Sequence, residues 1–341
     1  MGCSNPVARV IESLCSVIEA CRPGANLNAT LDQMTAALDA DAAKSPFLLD
    51  NEGAYQAWRG RKLDLLRRLS ADRVFELDES GCLPAALRPE LREQIGGYNF
   101  VIFETRGEFD KDAFLALNRE FGLLRADGGE GESDRGVTAL RAVDEADALA
   151  RYIPYTRRAL NWHTDGYYNP PERRISAFAL YCVSQARRGG GNFLFDHELM
   201  YLMIRDREPG LLAALMADDM MLIPANVQGG QVLRAEESGP VFSLQPGGRG
   251  LNMRYTSRPR NIQWKSDRQS RHALDLVREI LVDGGAAIEV RLQAGQGIVC
   301  NNILHGREAF RDMTDEPARL VYRARYLDAI DLDRQTVRDG A

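Results

Sequence analysis

From about residue 175 onward the chain consists of short apolar runs separated by Gly, Pro and Asn turn signals. The runs are Ile175 to Val183, Asn192 to Phe195, Gly239 to Leu244, Leu251 to Tyr255, Ala287 to Leu292, Gly297 to Cys300 and Leu320 to Tyr326. Apolar stretches of this length, bounded this way, read as strands. Helical patterns interrupt them at about His197 to Met216 and Asp267 to Val282. Many short strands that do not alternate with helices point to a sandwich or barrel rather than a doubly wound parallel sheet.

The N-terminal part has a different texture. Val7 to Ala20, Leu31 to Leu38 and Tyr55 to Leu69 carry apolar residues three and four apart, and the last has a basic face of Arg59, Arg61, Lys62, Arg67 and Arg68. Such a face is expected to be solvated. Residues 1–77 are therefore read as a helical extension, and 78–341 as the main domain with inserted helices. Within that domain Leu87 to Ile95 reads as a short helix with Pro89 in its first turn. Tyr98 to Phe103 follows as a strand, Phe109 to Phe121 as a helix, and Gly128 to Asp134 as a glycine-rich acidic loop.

Composition narrows the functional classes. With 43 basic and 49 acidic residues the formal charge is −6, which disfavours nucleic acid and acidic membranes as partners. No apolar run is long enough to span a membrane. The six cysteines, at 3, 15, 22, 82, 182 and 300, form no CxxC pair and no small disulfide framework. Met1-Gly2-Cys3-Ser4-Asn5-Pro6 has Pro where a myristoylation signal wants Ser or Thr, and no secretory leader follows. A cytoplasmic protein with reduced thiols is expected.

The four histidines concentrate the search. His272 sits among charged residues of a helical pattern, and His197 opens a helix directly after Asp196. His163 lies in Asn161-Trp162-His163-Thr164-Asp165. In a strand, residues two apart face the same way, so His163 and Asp165 can converge on one ion. A second histidine would complete two imidazoles and a carboxylate on one face of an octahedron, leaving three positions open. The stretch Leu304-His305-Gly306-Arg307 supplies a candidate. Beyond it Arg319, Arg323 and Arg325 recur at period two within a β-rich run. This is either the exposed face of an edge strand or an anion clamp in which Arg319 holds a carboxylate through paired hydrogen bonds.

These two segments resemble the Fe(II)/2-oxoglutarate dioxygenases of the taurine dioxygenase and clavaminate synthase group. Asn161-Trp162-His163-Thr164-Asp165 is similar to the proximal metal motif, and Leu304 to Phe310 with Arg319 and Arg323 to the distal one. The resemblance covers roughly residues 80 to 330. It implies a mainly β double-stranded β-helix (jelly roll) with flanking helices, and His163, Asp165 and His305 as iron ligands. It also implies Arg319 on the distal carboxylate of the 2-oxoglutarate cosubstrate, Arg323 on an acidic group of the substrate, and O2 as oxidant. The chemistry would be hydroxylation or another oxidation of a small, acidic molecule, with release of succinate and CO2. One departure stands out: the family's Gly-Gly-x-Thr is Gly190-Gly191-Asn192-Phe193 here, so Asn192 or another polar group must replace the threonine at the cosubstrate. Trp162, Tyr167 and Tyr168 are candidate pocket walls, as are Arg254 and Tyr255, with Arg307 orienting the site. A zinc hydrolase on the same three side chains, or a metal-binding sensor without turnover, are the alternative readings. Homo-oligomerisation is left open.

Overall fold

The structure is a computed structural model that describes residues 43–78, 81–128, 136–248, 250–283, 285–313 and 317–334. The helices expected at Val7 to Ala20 and Leu31 to Leu38, and nearly all of the glycine-rich loop, lie outside these residues. The chain divides into two compact units, residues 1–58 with 243–251, and 59–242 with 252–341. In the first, the Trp58 ring packs edge-on against Phe47 at 5.0 Å and beside Tyr55 at 5.9 Å.

The second unit is mainly β. In chain order its principal strands are β1 (Val74–Glu76), β2 (Phe100–Glu104), β3 (Val137–Leu140), β4 (Leu160–His163), β5 (Ala177–Ser184) and β6 (Asn192–Phe195). They continue with β7 (Ile288–Val290), β8 (Gln296–Asn301), β9 (Leu304–Arg307) and β10 (Leu320–Tyr326). A major sheet has the order β1-β2-β8-β5-β10-β3, and a minor sheet β7-β6-β9-β4. Pairing is antiparallel apart from β1 with β2. This is the jelly roll expected from the sequence. Strand β1 falls inside the stretch read as helical extension, its Phe75 buried at the edge of the major sheet.

Alternation along the strands makes two cores. One face of the major sheet contributes Phe178, Leu180, Cys182, Ile298, Cys300 and Val321, which pack with Leu194 and Val290 of the minor sheet. The opposite face contributes Val101, Phe103, Ala179, Tyr181, Val299 and Ala324, which pack with Phe114, Leu117 and Leu91. Those last three come from α2 (Arg88–Tyr98) and α3 (Lys111–Glu120), the helices following α1 (Glu52–Arg68). Pro89 sits in the first turn of α2 as expected, and Asp110 caps α3 by accepting from the Ala113 N–H.

Three sequence expectations are corrected here. The helix expected from His197 to Met216 is two, α4 (His197–Arg207) and α5 (Pro209–Leu215), because Pro209 forces Glu208 out of helical geometry (φ −148°, ψ 77°). The run from Gly239 to Leu244 is likewise split into strands Glu237–Gly239 and Phe242–Leu244, on either side of Pro240. Lys62, expected on a solvated face of α1, is buried, with Nζ 2.5 Å from Asp196 Oδ2 and 2.9 Å from Glu198 Oε2. Of the two readings of the arginine run, the exposed edge strand is excluded: β10 runs between β5 and β3, with Arg325 and the preceding Arg319 buried. The last helix, α6 (Arg268–Asp283), exposes His272 as expected. Among the described residues, no helix is long and apolar enough to cross a membrane.

Candidate active site

Strands β4 and β9 are neighbours in the minor sheet, and their register sets His163 directly opposite His305. Gly306 makes this approach close, since a Cβ there would press on the Leu160 carbonyl of β4. The imidazoles lie with ring centroids 4.2 Å apart. Asp165 follows in the turn after β4, its Oδ1 3.7 Å from His163 Nε2 and 4.0 Å from His305 Nε2. One ligand atom from each of the three lies within 4.8 Å of the others, so the group could hold a single metal ion.

Local structure aims these side chains. Each histidine donates Nδ1–H to the carbonyl two residues earlier, His163 to Asn161 and His305 to Ile303, both at 2.9 Å. A carbonyl can only accept, so the proton sits on Nδ1 and leaves Nε2 with a lone pair for the centre. Burial, reinforced by His163, pushes the His305 imidazole down to about 3, so it is neutral at ordinary pH. Burial alone would raise the Asp165 carboxyl. The opposing effects of Arg323, His163, His305 and Arg325 outweigh it and hold that carboxyl well below the usual range. The Asp165 Oδ2 atom is buried with no hydrogen-bond partner, as expected for an oxygen kept for a cation.

The surroundings hold the turn in place. Asn302 clamps the Asp165 backbone and also donates to the Ile175 carbonyl. Thr164 exchanges hydrogen bonds with the Tyr255 backbone, and Thr256 bridges to His163. Gly166 follows with φ +64°, where a Cβ would strike Ile175. Arg307, on the β9 strand with His305, donates to the carbonyls of Pro154, Thr156 and Arg158, fixing the approach to β4.

Three arginines of the β10 segment are drawn into the interior. Arg323 Nη1 lies 3.9 Å from Asp165 Oδ1, and its Nε is buried without a partner. Arg325 is engaged by Asp127 Oδ2 at 2.9 Å and the Tyr168 hydroxyl at 3.2 Å. Arg319 lies over the Phe310 ring at 5.0 Å, its Nη1 buried and unpaired. It lines a cavity with Cys182, Ala186, Gly190, Asn192 and Val321. Burial pushes the Cys182 thiol up to about 11, so no thiolate neutralises Arg319 there.

The family model of the taurine catabolism dioxygenase TauD, TfdA family matches residues 61–325. This chain belongs to that family.

As a TauD/TfdA protein it is an Fe(II)- and 2-oxoglutarate-dependent oxygenase, using O2 to oxidise a small-molecule substrate while 2-oxoglutarate becomes succinate and CO2. A uridine-5′-phosphate dioxygenase of Streptomyces sp is 29% identical over 276 residues, covering 77% of this chain and 98% of that protein. Another, of Amycolatopsis sp, is 32% identical over 174 residues, covering 49% and 61%. An asparagine oxygenase solved with Fe(II), hydroxyasparagine and succinate shares the fold, with TM-score 0.53 and 18% identity over 72% of this chain and 80% of that one. So does the non-heme iron oxygenase OrfP with Fe and α-ketoglutaric acid, at TM-score 0.55 and 14% identity over 72% and 80%. The residues present fit the TauD/TfdA cofactors. Two imidazoles and a carboxylate suit Fe(II), and the unpaired buried Arg319 Nη1 suits a carboxylate.

The remaining sequence candidates divide. Asn192 shares the Arg319 cavity, on the same strand face as Leu194 and opposite Arg307. Phe193 points to the other face, where Trp162 meets it at 6.0 Å and Phe195 at 6.5 Å. Trp162 is thus turned away from His163 and packs the barrel. Tyr167 is half-buried, its hydroxyl accepting from Arg258 at 3.1 Å, and Tyr168 serves Arg325. Arg254 spends its guanidinium on the carbonyls of Tyr167, Met221 and Glu237. Tyr255 is core, packed on Trp264. Asn302 and Asp127 were missed. The only local signal for Asn302 was an amide in the turn three residues before His305.

Proposed function

We propose that His163, Asp165 and His305 hold Fe(II), that Arg319 with Asn192 receives the distal carboxylate of 2-oxoglutarate, and that the substrate is an anionic small molecule, a nucleoside 5′-phosphate. Bound iron supplies the oxidising chemistry; the chain supplies placement. The observation that carries the substrate class is Arg323, a partly buried guanidinium with Nη1 3.9 Å from Asp165 Oδ1 and a buried, unpaired Nε. A guanidinium with a desolvated, unpaired donor favours an anion close to the metal ligands. The name of the full-length Streptomyces relative supports uridine 5′-phosphate as the first candidate.

Arg319 fixes the cosubstrate's register, which is orientation rather than chemistry. The proton on each Nδ1 leaves both Nε2 lone pairs available to the metal they would hold. The balance is one O2 and one 2-oxoglutarate per substrate C–H, one oxygen atom entering succinate and the other the product. Cys82, Cys182 and Cys300 stand as free thiols, which supports a reducing, cytoplasmic setting.

The test is succinate release by purified protein with Fe(II), 2-oxoglutarate and O2, together with mass analysis of the nucleotide. Uridine 5′-phosphate should stimulate succinate formation and gain oxidation, and uridine should be a poor substitute. Stimulation by uridine equal to that by its phosphate overturns the anionic reading. Failure of every nucleoside 5′-phosphate overturns the substrate class.

A further inference from the structure

Thr138 lies on β3, the edge strand of the major sheet, directly opposite Arg323 of β10. Residues directly opposite in an antiparallel pair share a face, with Cβ atoms about 4.5–5.5 Å apart. That face is the interior one. Leu140, two positions along, and Val321, opposite it, both belong to the core between the sheets. Val137 and Ala324, the adjoining pair on the other side, belong to the other core. Thr138 is only 2% exposed, and its Oγ1 has no hydrogen-bond partner. A hydroxyl left unpaired in a core is destabilising, and a valine of the same shape would avoid that cost.

Two directions lead away from the triad. The His305 ring packs on Phe178 of β5 at 4.3 Å. Along the strands, toward Cys182 and Val321, lies the cavity of Arg319 and Asn192, two pleats from Phe178. One pleat along from Phe178, at Leu180, a second direction runs across the strands from β5 to β10 to β3 and meets Arg323 and then Thr138, about 4.8 Å per strand. A cosubstrate reaching Arg319 takes the first direction and leaves the second to the other reactant. Both Arg323 Nε and Thr138 Oγ1 can donate, and neither has a partner.

We infer that Thr138 and Arg323 form a two-donor cradle for the phosphate of a phosphate-monoester substrate, with Thr138 as a specificity-determining residue. This rests on the reading of Arg323 as the substrate's anion receptor. Arginine provides the charge, and the threonine hydroxyl adds a second, directional donor to an oxyanion that would otherwise meet apolar wall.

The experiment measures equilibrium binding of uridine 5′-phosphate and of uridine, under anaerobic conditions, to protein loaded with Fe(II) and 2-oxoglutarate. Wild type is compared with Thr138→Val and Thr138→Ser, alongside thermal melts and the 2-oxoglutarate-dependent visible band. Thr138→Val keeps the shape and should melt no lower than wild type. It should bind the phosphate about ten- to a hundredfold more weakly, bind uridine as wild type does, and titrate 2-oxoglutarate unchanged; Thr138→Ser should restore phosphate binding. Unchanged phosphate affinity, an equal loss for uridine, or a loss of 2-oxoglutarate affinity overturns the role of Thr138 while leaving that of Arg323 standing. Wild type that binds neither uridine 5′-phosphate nor inorganic phosphate overturns the substrate reading itself, and the cradle with it.

Discussion

Asn302 holds Asp165 by its backbone at both ends, accepting from the Asp165 N–H at 2.8 Å and donating to its carbonyl at 2.9 Å. Asn302 sits in the turn between β8 and β9, so one amide ties the segment bearing Asp165 to the strand bearing His305. Partners that orient metal-binding groups in this way typically contribute ten- to a hundredfold in metal affinity. Asn302→Leu should therefore weaken Fe(II) binding by about that factor while the fold persists. Competition titration against a chelating dye reads the affinity, and circular dichroism the fold. Unaltered affinity in a folded variant would show that the clamp is dispensable.

Arg319, just before β10, and Arg323 within it stand four residues apart and meet different surroundings, the first a cavity and the second Asp165. Arg319→Ala should raise the KM for 2-oxoglutarate about ten- to a hundredfold, the usual cost of losing a charge-assisted hydrogen bond. Arg323→Ala should retain slow, substrate-free conversion of 2-oxoglutarate to succinate and lose its stimulation by nucleotide. Steady-state succinate assays with and without uridine 5′-phosphate separate the two. Equal loss of the basal conversion in both variants would defeat the division of roles.

What could be read from sequence was local. His163 and Asp165 are two residues apart where a strand ends, and the arginines of the β10 segment repeat at the same period. The same alternation already turned Trp162 away from His163, yet its nearness in sequence suggested a pocket wall. Distant pairing was hidden. Lys62 is indistinguishable from its arginine neighbours along α1 until Asp196, far along the chain, closes over it. Thr138 has no neighbouring motif; only the register of β3 against β10 puts it beside Arg323.

The Lys62 ion pair is a load on the fold in both directions. Burial by itself would lower the Lys62 amine, but Asp196 and Glu198 outweigh it and raise it above its ordinary value. A raised native value means the pair contributes below the unfolded lysine range and is lost as pH climbs through the native one. Lys62→Met leaves Asp196 charged and buried, and should cost about 3–5 kcal/mol. Lys62→Met combined with Asp196→Asn removes the stranded charge and should recover part of that loss. Urea melts of both variants measure it; a double variant no more stable than the single would argue against an electrostatic origin.

Acid should destabilise the metal-free protein well before its carboxylates titrate in bulk. Buried His305, at about 3 in the native state, binds its proton only after the unfolded chain, whose histidine takes one near 6.5. Between those values the unfolded state holds more protons, so stability rises with pH across that window and is fully present above it. The depressed Asp165 carboxyl works in the same sense at lower pH, its contribution being lost as pH falls below the ordinary carboxylate range. Going from pH 7 to pH 5 should thus remove about 2 kcal/mol through His305 alone. Denaturant melts of the apoprotein at those two pH values, repeated on His305→Gln, isolate this contribution. The glutamine variant should show a shallower pH dependence, and an identical slope would place the acid sensitivity elsewhere in the chain.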